Sequence, residues 1–532
     1  AADLDAACPP PLPVLAGTPF ASLPAALATD RPSLAASFGQ ALARASAEGS
    51  VPGALVRADD SRQGTFLSFA RSREAEELLA KRLLDRFRQD PRPTPPFDPR
   101  IESILAREPA LHAGQAEAVR AALRCGTTVV SGGPGTGKTT VVARILEALS
   151  ITSEGFARES TALCAPTGRA KARLQESIAR SLPLWGDLPA FTLHGLLGVR
   201  PDGSFRHDAS NPLPFATVVV DESSMIDLVL FAGLLDALRP ETRLILLGDP
   251  DQLPSVEAGA VFGDLVEALR QRDLPGARHA HLVFTHRNEG DIRQLAEDVN
   301  RGEIGRIRNI EPLSPTVAPD VVDALRTDPP GTVRWIGGAL EEALELWWTL
   351  HPPSGTGDHA AEAVSIQSSR ILCATHLGAA GRERINDLGD RWLRREAREG
   401  APDFAGRPVV LGRNLPLHDL WNGDLGVLVA TDAGAPAALF ARGDGFRLHP
   451  PERLEGLEPA WAITIHKSQG SEFDHVLLVL PEDDTPLLVR QILYTGITRA
   501  RRTLWIWGRK DLWTLGCARK EQRSSRLREL LI

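Results

Sequence analysis

The sequence predicts an α/β protein built on parallel sheets, with a helical segment ahead of them and a small all-β unit inserted late in the chain. Three observations carry this prediction. From about residue 100 to 270, short apolar strands (TTVVS, ALCAP, TVVVDE, RLILLGD) alternate with helical segments. Each strand ends at a polar or glycine-rich turn, the pattern of a parallel sheet with ligands at its carboxyl ends. The stretch SGGPGTGKTT, residues 131–140, fits the phosphate-loop spacing G-x-x-x-x-G-K-[ST]. Between residues 402 and 450 the texture becomes short strands and turns (RPVVLGRN, GDLGVLVA, AALFARGDGFRL), which predicts a small β-barrel inserted in a second α/β domain.

Length and composition bound the rest. A chain of 532 residues exceeds one ordinary core; at about 150 residues per domain it should hold roughly three or four. With 43% apolar and 24% charged residues and no apolar run long enough for a bilayer, it reads as globular, without a membrane partner. Five cysteines (Cys8, Cys125, Cys164, Cys373, Cys517) lie far apart with no C-x-x-C pair, so neither a zinc site nor a disulfide framework is signalled, and a reducing cytoplasm fits best. The start, AADLDAACPPPLPVL, has neither the basic opening nor the apolar core of a secretory signal, and the missing methionine suggests trimming. The net charge of −8 means that any nucleic-acid surface must be local.

In chain order, SREAEELLAKRLLDRFRQD (72–90) places Ala75, Leu79, Leu83 and Phe87 on one face, predicting an amphipathic helix that packs on its own domain or docks a partner. PRPTPPFDP (91–99) then marks a linker. The expected units are 1–95, a partner-docking domain; 100–270, a first sheet domain; 271–395 with 455–532, a second; and 400–452, the inserted barrel. GVRPDGSFRHDASNPLPF (198–215) is turn-rich, either a hairpin insertion or a plain surface loop.

The chemistry concentrates at strand ends. In the loop Gly132, Gly133, Pro134, Gly135, Thr136, Gly137, Lys138, Thr139 and Thr140, backbone N–H groups wrap phosphate oxygens, Lys138 reaches the β- and γ-phosphates and Thr139 holds Mg²⁺. Val141, Ile145 and Leu149 recur four apart, so a helix begins at the loop and aims its positive end at the phosphates. VVVDESSM ends a strand in Asp221 and Glu222, one carboxylate for Mg²⁺ and one to orient the attacking water. LILLGDPDQLPS adds Gln252, an amide suited to the γ-phosphate or its water. Three such strand ends predict an ATP hydrolase.

The segments LHAGQAEAV, GGPGTGKTT, APTGRAKARLQES, TLHGLLG, DESSMIDL, GDPDQLPSVEAGAVFGDL, NGDLGVL, TIHKSQGSEFDHVLLVLP and LYTGITRARRTLWIWG follow one another in order over residues 100 to 532. They resemble superfamily 1 helicases of the 5′-to-3′ branch and, through SVEAGAVFGDL and SEFDHVLLVLP, the RecD family. That resemblance implies two RecA-like motor domains of P-loop NTPase type with an inserted small β-barrel and a mainly helical N-terminal domain. It implies ATP and Mg²⁺ as cofactors, single-stranded DNA and double-strand ends as substrate, and RecB-like and RecC-like subunits as partners in a heterotrimer that holds the nuclease. By the same resemblance Gln115 reads adenine, Arg287 and Arg499 reach the γ-phosphate from the second motor, and Glu472 lies near the ribose. Thr167, Gly168, Arg169, Thr192 and His194 would grip a single strand on the first motor, and His466, Lys467 and Ser468 on the second. The function so implied is an ATP-dependent 5′-to-3′ DNA translocase and helicase. A stand-alone helicase and an ATP-switched regulatory subunit are the alternatives.

Overall fold

In a computed structural model of the chain the description covers residues 57–532 except 62–63, 69, 89–97, 108–109, 153–155, 258, 273–275, 284–289, 306, 308–311, 315–318, 353–358, 360, 362–363, 365–367, 397–401, 403, 432, 443–444 and 522–524. It opens with an antiparallel hairpin, β1 (Arg57–Ser61) and β2 (Gly64–Ser68), followed by the helix Ala70–Phe87. Most of the expected proline linker lies outside the described residues.

The alternating strands then form one parallel sheet. Its members are β3 (Thr127–Gly132), β4 (Thr161–Ala165), β5 (Ala190–Thr192), β6 (Thr217–Val220), β7 (Arg243–Gly248) and β8 (Ala277–Leu282). They lie in the order β5-β4-β6-β7-β3-β8. Helices cover both faces, so inner strands read as continuous apolar runs: Val218 and Val220 enter one core and Val219 the other. The first of these cores also takes Leu79, Leu83 and Phe87, Phe231 of the helix Leu228–Ala237, and Leu527 and Leu531 from the far end of the chain. The apolar face expected on a separate docking domain is therefore buried against the first sheet, and any docking falls to other residues.

The second sheet is parallel as well. It comprises β9 (Pro312–Leu313), β10 (Thr332–Ile336), β11 (Ser369–Cys373) and, after the insertion, β17 (Ala462–Thr464), β18 (Phe473–Val479) and β19 (Ala500–Trp507), in the order β17-β11-β18-β19-β10-β9. The insertion is a five-stranded antiparallel sheet: β12 (Pro408–Leu411), β13 (Leu425–Ala430), β14 (Pro436–Arg442), β15 (Gly445–His449) and β16 (Leu457–Pro459). Its order is β15-β14-β13-β12-β16, and the outer strands β15 and β16 do not pair with each other among the described residues. Val410, Val427 and Leu439 of the insertion share a core with Val476, Leu478 and Leu504 of the second sheet. These two sheets are thus fastened as one body.

Residues 198–215 form two successive tight turns without strands, around Arg200–Ser204 and Asp208–Asn211. Phe205 anchors them by lying on Gly233, where a Cβ would stand 2.3 Å from its ring. Among the described residues no helix is long and apolar enough to cross a membrane, and Cys125, Cys164, Cys373 and Cys517 are buried free thiols.

Candidate nucleotide and strand-binding site

The phosphate loop connects β3 to the helix Lys138–Thr152. Gly137 has φ +80°, and a Cβ there would stand 2.6 Å from Gln115 Nε2, so only glycine fits. Lys138 Nζ donates to Gly132 O at 2.8 Å and Gly133 O at 3.0 Å, carbonyls that phosphate oxygens would replace. Gln115 is buried with both amide atoms engaged: Nε2 donates to Thr136 O at 2.9 Å and Oε1 accepts from His112 N at 3.0 Å. Its contribution in this structure is to brace the loop against the preceding helix.

Asp221 follows β6, and Asp249 follows β7, the strand beside the loop. Burial, reinforced by Glu222, pushes the Asp221 carboxyl up to about 6, while Lys138 pulls it back. Burial likewise pushes Asp249 up to about 6 against the same lysine. Glu222 adopts φ +51°, in the left-handed region, and its N–H donates to Asp221 Oδ1 at 2.8 Å. A backbone held there in a non-glycine residue is strained, as residues aimed at a reaction often are. Burial outweighs Lys138 and the other groups that favour ionisation of these carboxyls, so a divalent cation would complement them, and Thr139 lies in the first turn of the helix that follows the loop. Thr139 and Asp221 supply few oxygen donors, which fits Mg²⁺ shared with phosphates rather than an all-protein cage.

The second sheet brings its own groups to this rim. Arg499, which immediately precedes β19, is buried and donates through Nη2 to Gln252 Oε1 at 3.0 Å and through Nη1 to Ser471 O at 3.0 Å. Gln252 Nε2 in turn donates to Asp249 Oδ2 at 3.0 Å, and Tyr494 OH donates to the same oxygen at 3.1 Å. Leu253 is held from both sides, its N–H by Thr495 Oγ1 at 3.0 Å and its carbonyl by Gln469 Nε2 at 2.9 Å. Glu472 pairs with Arg173 of the first unit and Arg501 of the second, each at 2.9 Å. Arg287 lies outside the described residues.

The residues expected to grip a strand sit farther along the same rim. Thr167 caps the helix Gly168–Ser181, its Oγ1 accepting from Ala170 N at 3.2 Å. Thr192 caps Leu193–Leu197 in the same way, through Gly195 N at 3.1 Å, with His194 exposed beside it. Gly168 and Arg169 face the insertion instead: Trp421 covers Gly168, and Arg169 Nη1 donates to Gly423 O at 3.1 Å. His466, Lys467 and Ser468 form one 3-10 turn. Ser468 is fully buried and its hydroxyl donates to Ile465 O at 2.7 Å, so it shapes the turn rather than reaching outward. Lys467 pairs with Glu458 at 3.3 Å.

Family models match residues 115–258 as an AAA domain and 459–507 as a UvrD-like helicase C-terminal domain. Over 437 residues the chain is 38% identical to the RecBCD enzyme subunit RecD of Mycolicibacterium smegmatis, covering 78% of this chain and 74% of that one. The chain belongs to the RecD family. The Haemophilus influenzae RecD subunit is 33% identical over 78% of this chain and 72% of its own length. The ATP-dependent RecD2 DNA helicase of Deinococcus radiodurans is 31% identical over 75% of this chain and half of its own. Among solved structures, Pif1 helicase from Candida albicans aligns over 75% of the chain and 94% of its own with 17% identity and a TM-score of 0.41.

In this RecD-family chain several site groups carry no local signal. Tyr494, the chain's single tyrosine, meets Asp249 from 245 positions away. Arg173 reads as one more charge on a helix until Glu472 is folded against it. The acids closing β7 mark Asp249 as a candidate only because a strand ends there.

Proposed function

We propose that this chain is an ATP-driven motor that travels 5′ to 3′ on single-stranded DNA and unwinds duplex ahead of it, working with RecB-like and RecC-like subunits in a break-processing helicase–nuclease. One observation carries the reading: the phosphate loop and the Asp221–Glu222 acids stand on one sheet, while Arg499 reaches their rim from the other and touches Gln252. The relatives named as RecBCD enzyme subunit RecD support the subunit assignment, and the polarity rests on the resemblance of the motif series to the 5′-to-3′ branch.

The roles follow from position. Lys138 leaves the two loop carbonyls for the β- and γ-phosphate oxygens. Thr139 and Asp221 would hold Mg²⁺, which would neutralise the phosphate charge. Glu222 and Gln252 orient the attacking water, and the guanidinium of Arg499 matches charge spread over the equatorial oxygens. Since Arg499 and Lys138 belong to different bodies, ATP draws them together and hydrolysis releases them. The helix caps at Thr167 and Thr192 offer hydroxyls and N–H groups to phosphates without reading bases, as an indifferent motor requires. Opening one base-pair step costs about 1.4 kcal/mol, well within one hydrolysis.

The test compares unwinding of 5′-tailed and 3′-tailed duplexes by the wild-type chain and Lys138→Gln. Opening of the 5′-tailed duplex alone, lost in the variant, is expected. If only single-stranded DNA stimulates hydrolysis, the motor requires its partners. Opening of the 3′-tailed duplex contradicts the polarity.

A further inference from the structure

We propose that Arg173 is a positioning residue that couples strand binding to ATP hydrolysis by tying the helix Gly168–Ser181 to the second motor through Glu472. This rests on reading the cleft as the ATP site and goes beyond it, since neither the phosphate loop nor the arginine-bearing strand contains Arg173.

The helix begins at Thr167, one of the hydroxyls proposed to meet the strand. Six residues on, at about 1.5 Å per residue, Arg173 stands roughly 9 Å along the same rigid rod. Its Nη2 pairs with Glu472 at 2.9 Å and its Nη1 donates to Gly470 O at 3.2 Å, so it meets two points of one loop of the second motor. Glu472 is itself bound to Arg501 at 2.9 Å, which makes a three-charge bridge spanning the cleft. Burial weakens the Arg173 charge, yet Glu472, and beyond it Glu222 and Asp221, outweigh that and hold its pKa above the ordinary value. The guanidinium therefore lies within electrostatic reach of Glu222 and Asp221 while it holds the opposite motor. A shift of the helix on binding phosphate moves the bridge, and with it the spacing between Glu222 and the loop that carries Arg499's partner Ser471.

Arginine suits this place because its planar fork holds the carboxylate and the carbonyl at once. Lysine would retain the charge and lose one of the two contacts.

The experiment measures ATPase at saturating single-stranded DNA for the full-length wild type, Arg173→Gln, Arg173→Lys, Glu472→Gln and the double variant Arg173→Gln/Glu472→Gln. Expected is a fall in kcat of roughly tenfold or more in Arg173→Gln, with KM for ATP held within about threefold, since the lost contact orients rather than binds. Arg173→Lys recovers part of that kcat, and the double variant is no slower than the slower single variant, as residues acting through one bridge are non-additive. Unchanged kcat in Arg173→Gln, or losses that multiply in the double variant, overturns the assignment. Should Arg173→Gln prove misfolded by its melting curve, Glu472→Gln and Arg173→Lys decide: both must lower kcat, and wild-type kcat in either overturns it. A wild-type chain without DNA-stimulated hydrolysis overturns the reading of the cleft and this inference with it, whereas an active wild type beside an unaffected Arg173→Gln overturns this inference alone.

Discussion

Asp221 sits where its charge is opposed first by burial and then by Glu222, and its pKa rises from 3.8 to about 6. A carboxyl raised in this way favours the folded state while protonated: its contribution is whole below about pH 4 and is lost as the pH climbs through 6. Asp221→Asn removes the charge and keeps the shape. Without nucleotide and in EDTA, the variant should melt roughly 2–4 °C above wild type at pH 8, and that gap should close toward pH 4. A variant less stable than wild type at pH 8 contradicts this, and hydrolysis should be lost at every pH. On the proposed role of Asp221 at the cation, function and stability oppose each other at this residue. Lys138, Thr139, Asp221, Glu222 and Gln252 could be named as candidates from the sequence because each lies in a short motif beside a strand end, and Arg499 could be named through the motif resemblance; the structure brings Arg499 and Gln252 into contact. Tyr494 and Arg173 were not, because their partners arrive from elsewhere in the chain, and Asp249 was marked only as an acid at a strand end. Ser468 misled for a related reason, since a serine in a motif looks available until the turn buries its hydroxyl.

For the elements, spacing revealed the faces and stopped short of their partners. The helix Ala70–Phe87 was expected from Ala75, Leu79, Leu83 and Phe87, and it forms within a few residues of the expected 72–90. What it covers is decided by Phe231 and by Leu527 and Leu531, residues far away in sequence. Leu83 is fully buried there. Leu83→Ala should therefore destabilise the first motor by about 2–5 kcal/mol, the usual result of a cavity in a core, read as a lower midpoint in urea. Were that face a free docking surface, stability would not change and only partner binding would suffer. The parallel sheets were easier to foresee, since strands buried on both faces write themselves as unbroken apolar runs. The turns at 198–215 were harder, because their conformation depends on Phe205 finding Gly233.

Across the whole molecule, the insertion and the second sheet share one core, so in the proposed motor they would move together against the first sheet. Any closure that brought Arg499 to Gln252 would also bring Trp421 to Gly168, since both contacts join the same two bodies. This second contact is tight. A Cβ on Gly168 would stand 2.5 Å from the Trp421 ring, Lys171 lies 4.6 Å from the ring centroid, and Arg169 reaches Gly423 beside it. The Gly168 backbone has ordinary helical geometry, so alanine there is opposed by Trp421 and by little else. Gly168→Ala should lower DNA-stimulated hydrolysis and thermal stability in the wild-type background, because the added methyl holds the insertion away and keeps the cleft ajar. In a Trp421→Ala background the same substitution should do almost nothing. The coupling between the two positions should come to about 0.5–3 kcal/mol in a double-mutant cycle, the range for residues in contact. Additive effects would mean that the insertion rides free of the first motor, and that closure is governed at the nucleotide alone.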